Sequence, residues 1–143
     1  MGNASAQVVD ALLLRLADED SEVRRYAAQV LGKLSNASAQ VVDALLARLT
    51  DKDEDSKVRG NAAEALGNLG DSSAQVVDAL LGQLADEDDW VRGYAASALG
   101  KLGNASAQVV DALVGRLADE NSEVRVYAAI ALGNLGNASA QVV

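Results

Sequence analysis

Asp51, Asp53 and Asp55 alternate like the first ligands of an EF-hand calcium loop, so this is the first place to look for chemistry. Ser56 stands where that loop needs its Gly and Ala62 where it needs its closing Glu, so no tight calcium site is expected. Gly32-Lys33 and Gly100-Lys101 are laid out like the end of a phosphate loop. Leu follows each Lys, however, and Ala takes the place of the first Gly. Asn-Ala-Ser triplets at Asn3, Asn36, Asn104 and Asn137 match the glycosylation acceptor, but helix capping already accounts for both Asn and Ser at helix starts. The chain has no His and no Cys, which excludes the usual nucleophilic triads, thiolate chemistry and most transition-metal sites. Carboxylates remain, clustered in short acidic turns where solvation is the default. No catalytic residue, no metal and no cofactor is expected, and the chain reads as a non-enzyme.

Recognition is the other chemistry these side chains could do. One stretch, Asp86 to Leu102, occurs in four versions. Val91, Arg92, Ala95, Ala96, Leu99, Gly100 and Leu102 recur in every version, and their neighbours change. The changing sets are Glu22, Lys57, Trp90, Glu123; Arg25, Gly60, Gly93, Val126; Tyr26, Asn61, Tyr94, Tyr127; Gln29, Glu64, Ser97, Ile130; and Lys33, Asn68, Lys101, Asn134. They fall at i, i+3, i+4, i+7 and i+11, one face of a helix turned from the apolar stripe. All four aromatics of the chain lie on it. Trp, Tyr and Arg dominate binding at protein interfaces. The residues expected to meet a partner are Glu22, Arg25, Tyr26, Gln29, Lys57, Asn61, Glu64, Trp90, Tyr94, Ser97, Lys101, Glu123, Val126, Tyr127 and Ile130. The competing reading is a tolerant surface whose Tyr residues cover neighbouring stems.

Those positions sit on an internal repeat. Asn-Ala-Ser-Ala-Gln-Val-Val-Asp-Ala-Leu begins at Asn3 and returns at Asn36 and Asn104, with a variant at Asp71 and a fifth start at Asn137. The boundaries are 3–35, 36–70, 71–103, 104–136 and a partial repeat 137–143, within one domain, 1–143. The second repeat is longer by two residues in its acidic turn, Asp51 to Ser56. Each repeat holds two helical patterns. Helix A of the first carries Val8, Val9, Leu12, Leu13 and Leu16 on one stripe, with Ser5 as N-cap. Helix B carries Val23, Ala27, Val30, Leu31 and Leu34, with Asp20 as N-cap. Gly70, Gly103 and Gly136 suit the left-handed residue that ends a helix, a place taken by Ser35 in the first repeat. Gly32, Gly67, Gly100 and Gly133 lie inside the last turn, at a cost of roughly 1 kcal/mol each against Ala. Close approach of a neighbouring helix is the reason to keep them. Stacked pairs bury both stripes where a single pair cannot.

Formal net charge is −9, opposite in sign to what phosphate backbones and anionic lipid surfaces attract. Nucleic acid and membrane are therefore not expected partners; a protein or peptide is. No apolar run approaches the roughly 18 residues of a spanning helix, and no signal-peptide pattern opens the chain. The expectation is a soluble, cytoplasmic protein.

The helix-B phrase Asp-x-Asp-x-x-Val-Arg-x-x-Ala-Ala-x-x-Leu-Gly-x-Leu-Gly resembles the short HEAT-like repeats also found in phycobilin lyases and artificial alpha-Rep binding proteins. The resemblance implies an all-α fold, an α-α superhelix (HEAT-like solenoid) of four helix pairs plus a partial fifth repeat. It also implies a ladder between repeats, from Arg24, Arg59, Arg92 and Arg125 to Asp18, Asp51, Asp86 and Asp119, and B helices that line the concave side. The corresponding positions in alpha-Rep proteins are the ones varied to create binders. HEAT-like deoxyhypusine hydroxylases need His-Glu ligands that this chain lacks, and HEAT-like DNA glycosylases use a basic cleft. The expected function is a non-catalytic interaction scaffold. The alternatives are an assembly module self-associating as a homo-oligomer through uncapped ends, or a fragment of a longer HEAT-like protein. The near identity of the copies means recent duplication or design.

Overall fold

A computed structural model describes residues 6–142, with the backbone alone for 137–142. Eight helices follow one another: α1 (Ala6–Arg15), α2 (Ser21–Lys33), α3 (Ala39–Thr50), α4 (Ser56–Leu69), α5 (Ala74–Gln83), α6 (Asp89–Leu102), α7 (Ala107–Arg116) and α8 (Ser122–Val142). No strand occurs among the described residues. The chain is an all-α solenoid of helix pairs, as its repeats predict.

Helix starts are capped as their residues dictate. Ser38, Ser73 and Ser106 accept from the N–H groups of Val41, Val76 and Val109. Asn36, Asp71 and Asn104 in turn accept from the N–H of each capping Ser. Asp20 caps α2 through the N–H of Glu22. Ser5, the expected cap of α1, lies outside the described residues, as do Asn3 and Val143 and the side chains of Asn137 and Val142. Gly70 and Gly103 take φ of 76° and 74° and end α4 and α6, while Ser35 takes φ of 60°. The turn expected at Gly136 does not form, because α8 runs through it. At Gly70 and Gly103 the reversal is rewarded, since it lets α5 and α7 bury Val76, Leu80, Val109 and Leu113.

The even-numbered helices stack directly on one another and form the spine, and each odd-numbered helix packs on the even helix of its own pair. Leu31, Leu45, Leu49, Leu66, Leu80, Leu99 and Leu113 are fully buried along one continuous core. Val8 and Val23, on the expected stripes of the first pair, are exposed. Gly32 shows why the interior glycines persist. A Cβ there would lie 2.7 Å from the Ala65 Cα, and Gly67 and Gly100 repeat the contact at 2.8 and 2.7 Å from Ala98 and Ala131.

The ladder is present, with one rung changed. Arg92 grips Asp119 through two bonds of 2.8 and 3.0 Å, and Arg59 reaches Asp86 at 3.2 Å. Arg24 does not reach Asp51. It holds Glu54 instead, at 2.7–3.2 Å, and Arg48 joins the same carboxylate at 3.1 Å. The two additional residues move Asp51 out of the rung and bring the longer Glu54 into it. Asp51 keeps the local task of accepting from the Asp53 N–H. Each Arg also ties down its own turn, donating to the carbonyl of Asp18, Glu54, Asp86 or Asp119.

The Arg92 hydrogen bonds hold the Asp119 carboxyl below its ordinary 3.8, outweighing burial. Burial pushes Glu54 up, yet bonds from Arg24 and the Asp55 N–H together hold it below its ordinary 4.5. A carboxylate depressed in the folded state stabilises above its unfolded value and loses that contribution as pH falls through the folded one. The urea midpoint should stay flat from pH 7 to about 5 and fall in more acid solution. Asp119→Asn should cost about 1.5–3 kcal/mol at pH 7 and make the acid fall shallower, as measured by urea unfolding followed by circular dichroism.

Candidate functional site

Helical spacing carries the changing positions along the even helices, and the stack brings them side by side. Trp90 lies on the first turn of α6 and packs against Tyr94 one turn on, with ring centroids 5.1 Å apart. Tyr94 stacks on Tyr127 of α8 at 6.3 Å and 25° between ring planes. Trp90 is 40% exposed, whereas Tyr94 and Tyr127 are half-buried. Burial raises the Tyr94 hydroxyl above its ordinary 10.0, reinforced by the negative charge of Glu64. A cleft of about 120 Å³ opens beside the three rings, flanked by the carboxylates of Asp89 and Glu123. Asn121 spans it, donating to Asp89 at 2.7 Å.

On α2 the equivalent residues engage one another. The Arg25 guanidinium sits 4.7 Å from the Tyr26 ring centroid and donates to the Tyr26 hydroxyl at 2.9 Å and to Glu22 at 3.4 Å. Lys57 and Glu123 are exposed, and Gln29, Glu64 and Ser97 are half-buried. Lys101 is exposed and donates to Asn68 Oδ1 at 2.8 Å. Asn61 departs from the expected surface face. It is only 5% exposed, and its amide donates to the Arg25 carbonyl at 3.3 Å, joining α2 to α4. Val126 and Ile130 also stand apart from the aromatic group. They occupy the positions of Gly93 and Ser97, on the helix edge turned toward the next helix of the spine, and are 54% and 55% exposed.

Glycine at positions 60 and 93 belongs to this site, a role the sequence comparison passes over. A Cβ on Gly60 would collide with Trp90 Cδ1, lying 2.5 Å from Nε1 and 3.3 Å from the Tyr94 ring. A Cβ on Gly93 would lie 3.1 Å from the Tyr127 ring. The small residue on one helix and the aromatic on the next are one packing unit. A Gly facing an aromatic one repeat later was the available signal. Among the described residues no group of three or more acidic side chains is placed to hold a metal ion, and no helix is long and apolar enough to cross a membrane.

A family model described as HEAT repeats matches residues 9–92 and 77–143. No curated protein matches the chain. Among solved structures, an engineered protein shares 30% identity over 90% of this chain and 62% of its own, with a TM-score of 0.68. The complex of CpcE and CpcF of phycocyanin lyase from Nostoc sp. shares 26% over 90% of this chain and 65% of that one, with a TM-score of 0.65. A second engineered protein shares 30% over 92% and 69%, with a TM-score of 0.64. The chain thus spans less than two thirds of the length of the first two.

Trp90 is the sole Trp of the chain and reports directly on its contact with Gly60. Gly60→Ala would gain up to about 1 kcal/mol from helix propensity alone. The steric contact predicts the opposite sign: lower thermal stability, red-shifted Trp90 emission and faster acrylamide quenching, all read by fluorescence on the purified variant.

Proposed function

The chain belongs to the HEAT-repeat family, and we propose that it is a non-catalytic scaffold, one repeat domain binding a protein or peptide through the exposed face of α2, α4, α6 and α8. The anchor of that face is Trp90 with Tyr94 and Tyr127. The observation that carries this reading is the run of three rings across two repeats, beside a cleft edged by Asp89 and Glu123. Rings offering a π-face next to carboxylates favour a cation, so the partner presents a Lys or Arg side chain to this cleft. Glu22, Arg25, Tyr26, Lys57, Glu64 and Lys101 widen the contact along the spine, and Gln29 and Ser97 border it. The absence of His and Cys from the chain supports a binding role over a catalytic one. The similarity to the CpcE and CpcF complex is consistent with a surface that meets another protein.

Selection from a random peptide library, with counter-selection against a Trp90→Ala/Tyr94→Ala/Tyr127→Ala variant of equal helicity, tests the proposal. Enriched peptides should be rich in Lys and Arg, bind the native chain at least about tenfold more tightly than the variant, and weaken with added salt. Peptides that bind both forms alike would remove the aromatic face as the site.

A further inference from the structure

The stack of even helices leaves two complementary faces open. On α8, Val126, Ala129, Ile130 and Gly133 follow at i, i+3, i+4 and i+7, and all four are exposed. Their counterparts on α6 are Gly93, Ala96, Ser97 and Gly100, of which Gly93 and Gly100 meet Tyr127 and Ala131 of α8. A Cβ on Gly133 would meet nothing within 4 Å. The last helix is also the most apolar at this edge, with Val126 and Ile130 where earlier copies carry Arg25 and Gln29, or Gly60 and Glu64. At the other end α2 exposes Val23, Tyr26 and Val30, whose counterparts Val58, Asn61 and Ala65 are buried against the preceding helix. A groove of about 340 Å³ runs there, lined by Leu12, Val23, Tyr26, Ala27 and Val30, with Arg15 and Glu22 at its margin.

The ladder is open at the same two places. Asp119 is held by Arg116 of its own repeat and Arg92 of the preceding one, and Glu54 by Arg48 and Arg24 in the same way. Among the described residues, Asp18 has Arg15 as its one guanidinium partner, beside the N–H of Asp20. Arg125 donates through one nitrogen to the Asp119 and Glu120 carbonyls and has no carboxylate partner among the described residues. One end carries the unmatched Arg of a rung and the other the half-matched Asp.

We infer that a second copy of this chain docks head to tail, its α2 face on the α8 face of the first, with Arg125 completing the rung to Asp18 of that copy. This goes beyond the aromatic face anchored by Trp90, Tyr94 and Tyr127, and shares with the proposed partner contact only Tyr26 and, at the margin of the groove, Glu22. Three internal joints, α2 on α4, α4 on α6 and α6 on α8, supply the geometry, and the intermolecular joint continues it. Gly133 would face Val30, where the internal joints oppose Gly to Ala, so the joint between copies is looser than those within one. That makes association reversible and concentration-dependent.

Sedimentation equilibrium of the native chain and three variants tests this. Native protein should exceed its monomer mass of 14.7 kDa increasingly as concentration rises. Ile130→Glu blocks the α8 face and Val30→Glu the α2 face, and each alone should run as a monomer with unchanged helicity by circular dichroism. Mixed, the two should form a dimer of limiting size, because each retains the face the other has lost. Arg125→Glu, which leaves both apolar faces intact, should weaken association about tenfold or more. A native chain that stays at 14.7 kDa at every concentration overturns the proposal. A mixture that remains monomeric overturns the head-to-tail arrangement, and an Arg125→Glu variant that associates like the native chain overturns the rung. If a single-face variant fails the helicity check, Ile130→Gln and Val30→Gln take its place under the same outcomes. Trp90→Ala should leave association unchanged, so this result stands or falls separately from partner binding.

Discussion

The backbones of successive spine helices approach closely where Gly32, Gly67 and Gly100 lie against Ala65, Ala98 and Ala131, and every other feature of the molecule is arranged around that contact. A Gly inside a helix costs roughly 1 kcal/mol against Ala, and three of them would weaken an isolated set of helices. In the stack they are offset by dispersion contacts that a Cβ would prevent, since any larger residue would force the helices apart. With the helices this close, long side chains cannot lie between them at that level. They sit nearer the N-terminal turns of the spine helices, where Arg92 is bonded at the inter-helix turn and Trp90 is packed on Tyr94.

The turn level receives the charges. Arg24, Arg59 and Arg92 each tie their own turn through a carbonyl and reach the acid of the next repeat, which fixes the register of neighbours as well as their attraction. A planar, bidentate donor suits this task better than Lys, and Arg recurs at all four positions. The longer second turn shows how tolerant the arrangement is. Two more residues displace Asp51, yet Glu54 restores the rung and is buried in doing so. What the stack requires is a carboxylate at a point in space, and the residue number that supplies it is secondary.

The first two turns of the spine helices receive the aromatics, and there the small residues decide what fits. Trp90 lies over Gly60, and Tyr127 packs beside Gly93. Where Arg25 replaces glycine, the facing positions carry Lys57 and Asn61, with no ring at all. The changing face is thus composed in pairs across a joint, and a ring can be added only where the preceding repeat makes room. This coupling bears on the proposed recognition role. Partner contacts would evolve two positions at a time, so the aromatic run of α6 and α8, with Gly60 of α4 beneath it, forms one unit.

Local features were legible without coordinates because local physics sets them. Apolar spacing defined the helices, Asp20 announced its cap, and the recurrence of Val-Arg-x-x-Ala-Ala announced the stack. Gly70 and Gly103 end their helices as their type suggests, whereas α8 runs through Gly136, since a glycine permits a left-handed turn without requiring one. Three further results came from the tertiary structure alone: that Glu54 and not Asp51 takes the rung, that Asn61 is buried, and that Val126 and Ile130 face along the solenoid axis and not with Trp90. The reason is common to all three. Helical periodicity says which residues share a face, but whether that face meets a neighbour, solvent or a ring depends on distances between repeats, which no single repeat encodes.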